Sequence, residues 1–217
     1  MRAIGFDLPG FGDSDATDFV PRIEDYARAV PPVLDHLGIR RACILGHHTG
    51  ALVATEVALQ FGDRVSGVIL NGPLPMSADE REAGLTYVEE HEKGCAPRAD
   101  GQHLVALFKN RMAEAGEGTN WALATRYLAE QLIGRGPFWY GHHAAFLYDH
   151  NQTIRQLVHP TLVLTNTGDS IYDKARQAKR MRPDFAHLEL AGGTIDIVDE
   201  QPVAWADAVA SFVTGLA

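Results

Sequence analysis

Residues 46–50, Gly-His-His-Thr-Gly, constrain this chain more than any other feature. They have the frame of a nucleophile elbow, G-x-Nuc-x-G, in which a sharp strand-to-helix turn exposes the central side chain at the top of a sheet. The flanks fit, because the apolar run 41–45 predicts a buried parallel strand and apolar residues recur at helical spacing over 51–61, with Gly62 as the expected C-cap. Both glycines are expected because the turn leaves no room for a Cβ atom. Histidine, however, stands at position 48, where the frame places the attacking group.

Short apolar segments alternate with helical patterns along much of the chain. The predicted strands are residues 2–6, 41–45, 65–70, 161–165 and 187–190, and the predicted helices are residues 23–37, 51–61, 171–181 and 202–213. This alternation predicts an α/β fold, a mostly parallel sheet with helices on both faces. The Pro31-Pro32 pair should interrupt the first helix near Ala29. Residues 76–159 lack strand-like alternation and predict an inserted helical cap, which leaves 1–75 and 160–217 as the core.

Composition limits the partners and the compartment. The 217 residues carry a net charge of -9, which argues against nucleic acid or an anionic membrane as a partner. No apolar run reaches membrane-spanning length and no signal peptide is recognisable, so the expected location is the cytoplasm. Cys43 and Cys95 make no disulfide framework, and Cys43 is expected to be a small buried hydrophobe. A small-molecule ligand is the expected partner, no cofactor is predicted, and a homo-oligomer is left open.

These segments together resemble the α/β-hydrolase superfamily, specifically its capped esterase, lactonase and haloalkane-dehalogenase-like branch. The resemblance is carried by residues 7–14 (DLPGFGDS), 45–50 (LGHHTG), 68–73 (VILNGP), 160–164 (PTLVL) leading to Gly168 and Asp169, and 192–193 with 200–202. It implies a catalytic acid at Asp169, which could otherwise serve only to cap the following helix. It also implies an oxyanion-hole N–H donor at Thr49, the residue after the nucleophile position. Trp139 and Tyr140 are expected on the inner face of the cap, as substrate contacts or as packing within it.

Three departures from the family pattern bear on activity and make the triad degenerate. His48 replaces the serine that an adjacent imidazole would activate. The family's catalytic histidine falls at Ile195, or at Thr194 in a register one residue earlier, and neither side chain is a base. Asp196 cannot take that place without a shift of its loop. Loss of the nucleophile or of the base costs about a million-fold in rate.

The third departure is that the chain begins late. In the family, three strands and a helix precede the segment that begins here at Met1, and the loop after the third strand supplies the second oxyanion donor. The absence of that central strand predicts an unpaired sheet edge beside the elbow strand. Either segment 2–6 shifts to pair with the elbow strand, or a second chain covers the edge, or the natural protein carries more residues upstream of Met1. We favour the last of these expectations.

Two functions therefore remain open. Imidazole is a competent nucleophile and general base near neutral pH, and without a histidine at position 195 the His48 ring can lean toward Asp169. This predicts an enzyme of hydrolase descent that acts on a small apolar ester, lactone or related molecule under the lid. The alternative is a non-catalytic pseudo-hydrolase that serves as a ligand-binding or interaction protein.

The paired histidines do not predict a metal site. His47 and His48 are adjacent, so their side chains are expected to diverge, and His142 and His143 in the cap have the same spacing. Side chains that share a metal on a helix face lie three or four residues apart, and no third ligand follows at a recognisable spacing.

Overall fold

The computed structural model describes residues 1–93, 97–115 and 120–216, with the side chains of 114 and 115 left out. Four parallel strands form its sheet in the order β1-β2-β3-β4. The strands are β1 (Ala42–His47), β2 (Val65–Asn71), β3 (Thr161–Asn166) and β4 (Ala186–Leu190). Because all four run the same way, the elbow and the loops after β2, β3 and β4 meet at one edge.

Helices cover both faces of the sheet, as the alternation predicts. Those outside residues 76–159 are α1 (Ile23–Arg28), α2 (Val30–His36), α3 (Thr49–Gln60), α9 (Tyr172–Met181), α10 (Ile197–Glu200) and α11 (Pro202–Thr214). Buried side chains of α1, α3 and α9 pack with Val68 and Val163 on one face. On the other face, Ala208 of α11 packs with Ile69 and Leu162. Successive strand residues therefore face opposite helical layers, as expected of a sheet buried on both sides.

The predicted helix boundaries are largely confirmed. α1 ends at Arg28 and α2 begins at Val30, so the break falls at Ala29, where the proline pair places it. The expected C-cap at Gly62 is wrong, because α3 is capped by Phe61 and Gly62 begins a short 3-10 turn.

The predicted strand at residues 2–6 is wrong. This segment has no strand hydrogen bonding and is exposed. The turn that follows it is held by hydrogen bonds to Asp7. There the Asp13 N–H donates to the Asp7 carboxylate at 3.1 Å, and the Ser14 hydroxyl donates to the Asp7 carbonyl at 2.8 Å. Among the described residues no strand pairs with the outer edge of β1, so segment 2–6 does not shift to cover it.

The open edge of β1 also changes the expectation for Cys43. Its side chain is half-buried instead of buried, although desolvation still raises the pKa of the thiol to about 11. Cys95 lies outside the described residues.

The described part of residues 76–159 is helical and contains no strand. Its helices are α4 (Ala78–Tyr87), continued by a π-helical turn (Val88–Glu92), α5 (Gln102–Ala115), α6 (Trp121–Ile133), α7 (Trp139–Leu147) and α8 (His150–Thr153). We call this part the helical segment, and its role as a lid stays a prediction. None of the described helices is both long enough and apolar enough to cross a membrane.

Contacts at several places join the helical segment to the core, among them those of Tyr148 and His150 with Glu56 and Thr55 of α3. A buried ion pair links Arg111 of α5 to Asp196 in the loop after β4. The Tyr127 hydroxyl of α6 donates to Asp199 at 2.5 Å in the same region. On the other side, the Gly136 N–H donates to the Gly10 carbonyl at 2.7 Å. The helical segment is therefore attached to α3, to the loop after β4 and to the turn that follows segment 2–6.

Candidate active site

The elbow adopts the strained turn that its sequence predicts. His48 has φ 49° and ψ -113°, and it is the one non-glycine residue with positive φ among those described. A Cβ on Gly46 would lie 1.8 Å from the Gly50 carbonyl oxygen, whereas a Cβ on Gly50 would meet nothing within 4 Å. Gly46 is therefore required by the close approach of the turn. The expectation that Gly50 is needed for the same reason is wrong.

Asp169 lies in the tight loop after β3 and its side chain is completely buried. Its Oδ1 accepts the Ile171 N–H at 3.0 Å, but Ile171 is itself the N-cap of α9 and that helix has no side-chain cap hydrogen bond, so Asp169 does not cap it. Its Oδ2 lies 2.9 Å from His48 Nε2. The carboxylate therefore bonds the loop before α9 and the imidazole at the elbow.

The His48–Asp169 contact is the central polar pair of the site. Burial on its own would raise the pKa of Asp169, but the hydrogen bond and charge of His48 and the Ile171 N–H together hold that pKa below its usual value. Asp169 is therefore ionised at neutral pH and accepts the Nε2–H of His48. Within the described residues no hydrogen bond reaches the other ring nitrogen of His48, Nδ1, and the side chain is 24% exposed.

His47 does not diverge from His48, contrary to the expectation. The two rings stack with centroids 4.1 Å apart and planes 19° apart. In an extended strand, neighbouring side chains point to opposite faces, but the positive φ of His48 turns its side chain back onto that of His47. Among the described residues no three histidine, cysteine, aspartate or glutamate side chains are grouped to hold a metal ion.

The loop after β4 supplies no base to His48. The Thr194 hydroxyl donates to Glu200 at 3.0 Å, and the Ile195 carbonyl lies 3.0 Å from His47 Nε2. Asp196 is held by Arg111 and stays away from the dyad. Residues 194–196, where the family pattern has the catalytic histidine, therefore make only structural contacts here.

Thr49 is the first residue of α3. The first N–H groups of a helix have no intrahelical partner and carry partial positive charge. This position suits the predicted oxyanion donor, and that role remains a prediction.

Trp139 and Tyr140 begin α7, where their rings meet edge to face with centroids 4.6 Å apart. Trp139 also packs against His143 and lies 4.2 Å from the Lys93 ammonium. Both side chains are half-buried within the helical segment. Their role as substrate contacts stays a prediction.

Three cavities of about 670, 530 and 540 Å³ have linings that include neither His48 nor Asp169. The cavity of about 540 Å³ lies between the turn at Gly10–Asp13 and the helical segment, with Phe11, Tyr127 and Phe138 in its wall.

Gly72 lies close against the His48 ring. It has φ 64°, and a Cβ there would lie 2.7 Å from His48 Cδ2 and 3.0 Å from Nε2. Gly72→Ala is therefore expected to push the ring off Asp169, which NMR of the His48 Nε2–H would detect as loss of the hydrogen-bonded signal. Gly38→Ala is the matched control, because Gly38 has φ 66° but a Cβ there meets nothing within 4 Å. Equal effects of the two changes would show that backbone strain alone is responsible.

A family model described as the alpha/beta hydrolase fold matches residues 1–191. The chain belongs to the α/β-hydrolase family. This confirms the resemblance at the level of the superfamily and agrees with the parallel sheet.

This α/β-hydrolase is similar to several enzymes of varied chemistry. Homoserine O-acetyltransferase from Thermus thermophilus is 40% identical over 138 residues, which are 57% of this chain and 36% of that protein. Haloalkane dehalogenase 2 from Mycobacterium tuberculosis is 34% identical over 80 residues, which are 36% of this chain and 28% of that protein. The chain thus spans about a third of the length of these curated relatives. The crystal structure of an enol-lactonase from Burkholderia xenovorans LB400 matches 96% of this chain and 79% of its own, with a TM-score of 0.71 and 19% identity, and shows the shared fold.

Several residues of the site were missed by sequence reasoning. Asn71 ends β2 and Gly72 follows it, both beside the elbow, and Trp205 reaches the site from α11. The pairing of His47 with Asn71 could have been anticipated, since the motif N-G-P ends the strand that follows the elbow helix. Trp205 gave no such signal, because it reads as an apolar residue of an amphipathic helix.

Proposed function

We propose that this α/β-hydrolase is a hydrolytic enzyme in which the His48–Asp169 dyad activates water against a small apolar ester or lactone. The observation that carries the proposal is the 2.9 Å contact between His48 Nε2 and Asp169 Oδ2 at the apex of the elbow. An Asp–imidazole pair of this kind is the acid–base part of a hydrolytic triad, here placed where the nucleophile would stand.

The reaction follows from the two ring nitrogens. Because Asp169 accepts the Nε2–H, the lone pair of His48 lies on Nδ1, which takes a proton from a water molecule as that water oxygen adds to the substrate carbonyl carbon. The ionised carboxylate stabilises the imidazolium, and we assign the Thr49 N–H as the donor to the developing oxyanion. The imidazolium then returns the proton to the leaving oxygen, so that an ester yields acid and alcohol and a lactone yields a hydroxy acid.

One further observation supports the class of substrate. The similar proteins include an enol-lactonase and a haloalkane dehalogenase, both of which are named for small organic substrates. The partner that we propose is therefore a small molecule bound beneath the helical segment, near Trp139 and Tyr140.

The test is turnover of a panel of esters and lactones by the purified protein and by His48→Asn. We expect the change to lower kcat/KM by about 10²–10⁴-fold, the usual contribution of a positioned acid–base group. His36→Asn is the matched control, since His36 is exposed on α2 and is expected to leave the rate unchanged. Unchanged turnover in His48→Asn contradicts the proposal.

A comparison of the parent with the double variant His48→Ser, Ile195→His separates an inactive protein from one with altered chemistry. If the parent hydrolyses nothing in the panel while His48→Ser combined with Ile195→His does, the fold has kept its pocket and lost its catalyst. That outcome would establish the non-catalytic alternative.

A further inference from the structure

Every polar atom of the His47 ring is engaged, although His47 itself takes no part in the proposed reaction. His47 Nδ1 lies 2.8 Å from Asn71 Nδ2, and His47 Nε2 lies 3.0 Å from the Ile195 carbonyl oxygen. Its face is stacked on His48, with ring centroids 4.1 Å apart. The ring thus joins the end of β2, the loop after β4 and the elbow imidazole.

A chain of hydrogen bonds fixes where the His47 proton resides. Trp205 Nε1 can only donate, and it donates to Asn71 Oδ1 at 2.5 Å. The Asn71 side chain, which is completely buried, must therefore turn its NH₂ group toward His47 Nδ1. Nδ1 is thereby an acceptor, so the proton of the neutral ring lies on Nε2 and is donated to the Ile195 carbonyl.

The same surroundings keep His47 uncharged. Burial, followed by the neighbouring His48, lowers the pKa of His47 to about 3, while Asp169 and the Ile195 carbonyl act in the opposite direction. The titratable groups beside it are thus His48 in the stack and Asp169 beyond it, since β2 and α11 present only Asn71 and Trp205. A proton on Nδ1 would have to displace the Asn71 amide.

We propose that His47 is a positioning residue, locked neutral and in one tautomer by Asn71 and Trp205, which holds the His48 ring in line with Asp169. Because His47 stays neutral, it does not repel a positive charge on His48, and His48 can be the ring that becomes an imidazolium during turnover. The catalytic consequence rests on the proposed function, whereas the tautomer and charge of His47 can be measured without any substrate.

The experiment uses the full chain with ¹⁵N-labelled imidazoles, followed by NMR from about pH 5 to 8, the range in which free histidine titrates. In the parent we expect His47 to show the Nε2–H neutral form throughout. In Asn71→Asp the new carboxylate accepts from Trp205 and also from a protonated His47 Nδ1, so His47 is expected to titrate within this range. Trp205→Phe is the milder second variant, in which the freed Asn71 amide can rotate and both His47 tautomers should appear.

Turnover of the same proteins gives the second readout. A cationic His47 opposes protonation of His48, so Asn71→Asp is expected to move the acid limb of the kcat/KM profile to lower pH. Loss of ring alignment is expected to lower kcat by up to about 10²-fold. Gln152→Glu is the matched control, since Gln152 is exposed in α8, and the change introduces the same charge and is expected to change neither readout.

The outcomes are distinguishable. Titration of His47 in the parent, or ¹⁵N shifts of His47 that do not change in Asn71→Asp, would overturn the inference. So would a loss of rate in Asn71→Asp with an unmoved pH profile and unaltered His48 signals, because that pattern indicates a merely structural role. If the parent hydrolyses no substrate, the proposed function fails, and the NMR measurements alone then decide the state of His47.

Discussion

Gly46→Ala is expected to prevent stable folding, or to lower the free energy of unfolding by more than about 4 kcal/mol, which is exceptional for one substitution. The added Cβ would lie 1.8 Å from the Gly50 carbonyl oxygen and 2.6 Å from the Ala51 nitrogen. Both contacts are with backbone, so no side chain can rotate away and the elbow itself must open. Urea-induced unfolding followed by circular dichroism measures the effect.

Gly50→Ala is the matched control from the same motif. Gly50 lies in α3, has no positive φ, and offers free space to a Cβ atom. Alanine is preferred to glycine in a helix by up to about 1 kcal/mol, so this change is expected to be neutral or stabilising. If both substitutions destabilise equally, the close approach at Gly46 is not what sets the requirement for glycine.

Acidification from pH 7 to 4.5 is expected to lower the free energy of unfolding before most carboxylates are protonated. His150 is completely buried, with Nδ1 accepting the Leu74 N–H and Nε2 bonded to the Thr55 hydroxyl. Burial lowers the pKa of His150 to about 3, and His47 has a similarly lowered pKa. Because unfolding releases both rings to take up protons, their contribution is fully present above about pH 6.5 and is lost as the pH falls toward 3.

The size of the effect follows from linkage. Well below pH 6.5 each ring that protonates only on unfolding contributes a slope of about 1.4 kcal/mol per pH unit. His150 is expected to contribute more of this slope than His47, since the His47 side chain is only half-buried. Urea unfolding at several values from pH 7 to 4.5 measures the slope, and His150→Gln should lower stability at pH 7 while flattening the curve. His36→Gln, on the surface, should leave the curve as it is, and an equally steep curve in His150→Gln would refute the assignment.

Much of this fold could be predicted from the sequence because its core strands are buried on both faces. β2 and β3 read as continuous apolar runs, and the break at Ala29 follows from the geometry of proline. Segment 2–6 was predicted as a strand on the same apolar pattern, yet it pairs with nothing described. Strand propensity is realised only where a neighbouring strand supplies hydrogen bonds, and the segment itself carries no information about that neighbour.

The site was predictable where topology alone decides. His48 and Asp169 both follow strands of one parallel sheet, so they meet at its edge, and the predicted leaning of the ring toward the acid is what the structure shows. The stacking of His47 could not be foreseen, since it depends on the backbone angle of a single residue. Likewise Trp205 is distant in sequence from Asn71, and only the packing of α11 brings the two together.

The His48 ring is the side-chain partner of the buried Asp169 carboxylate, and this ties the elbow to the loop after β3. Oδ1 accepts the Ile171 N–H and Oδ2 lies against His48 Nε2, so His48→Ser alone would bury Oδ2 without a partner among the described residues. A carboxylate left in that state is costly to keep ionised. The choice of residue at the elbow therefore sets the charge state that the protein can tolerate at a position 121 residues further along the chain.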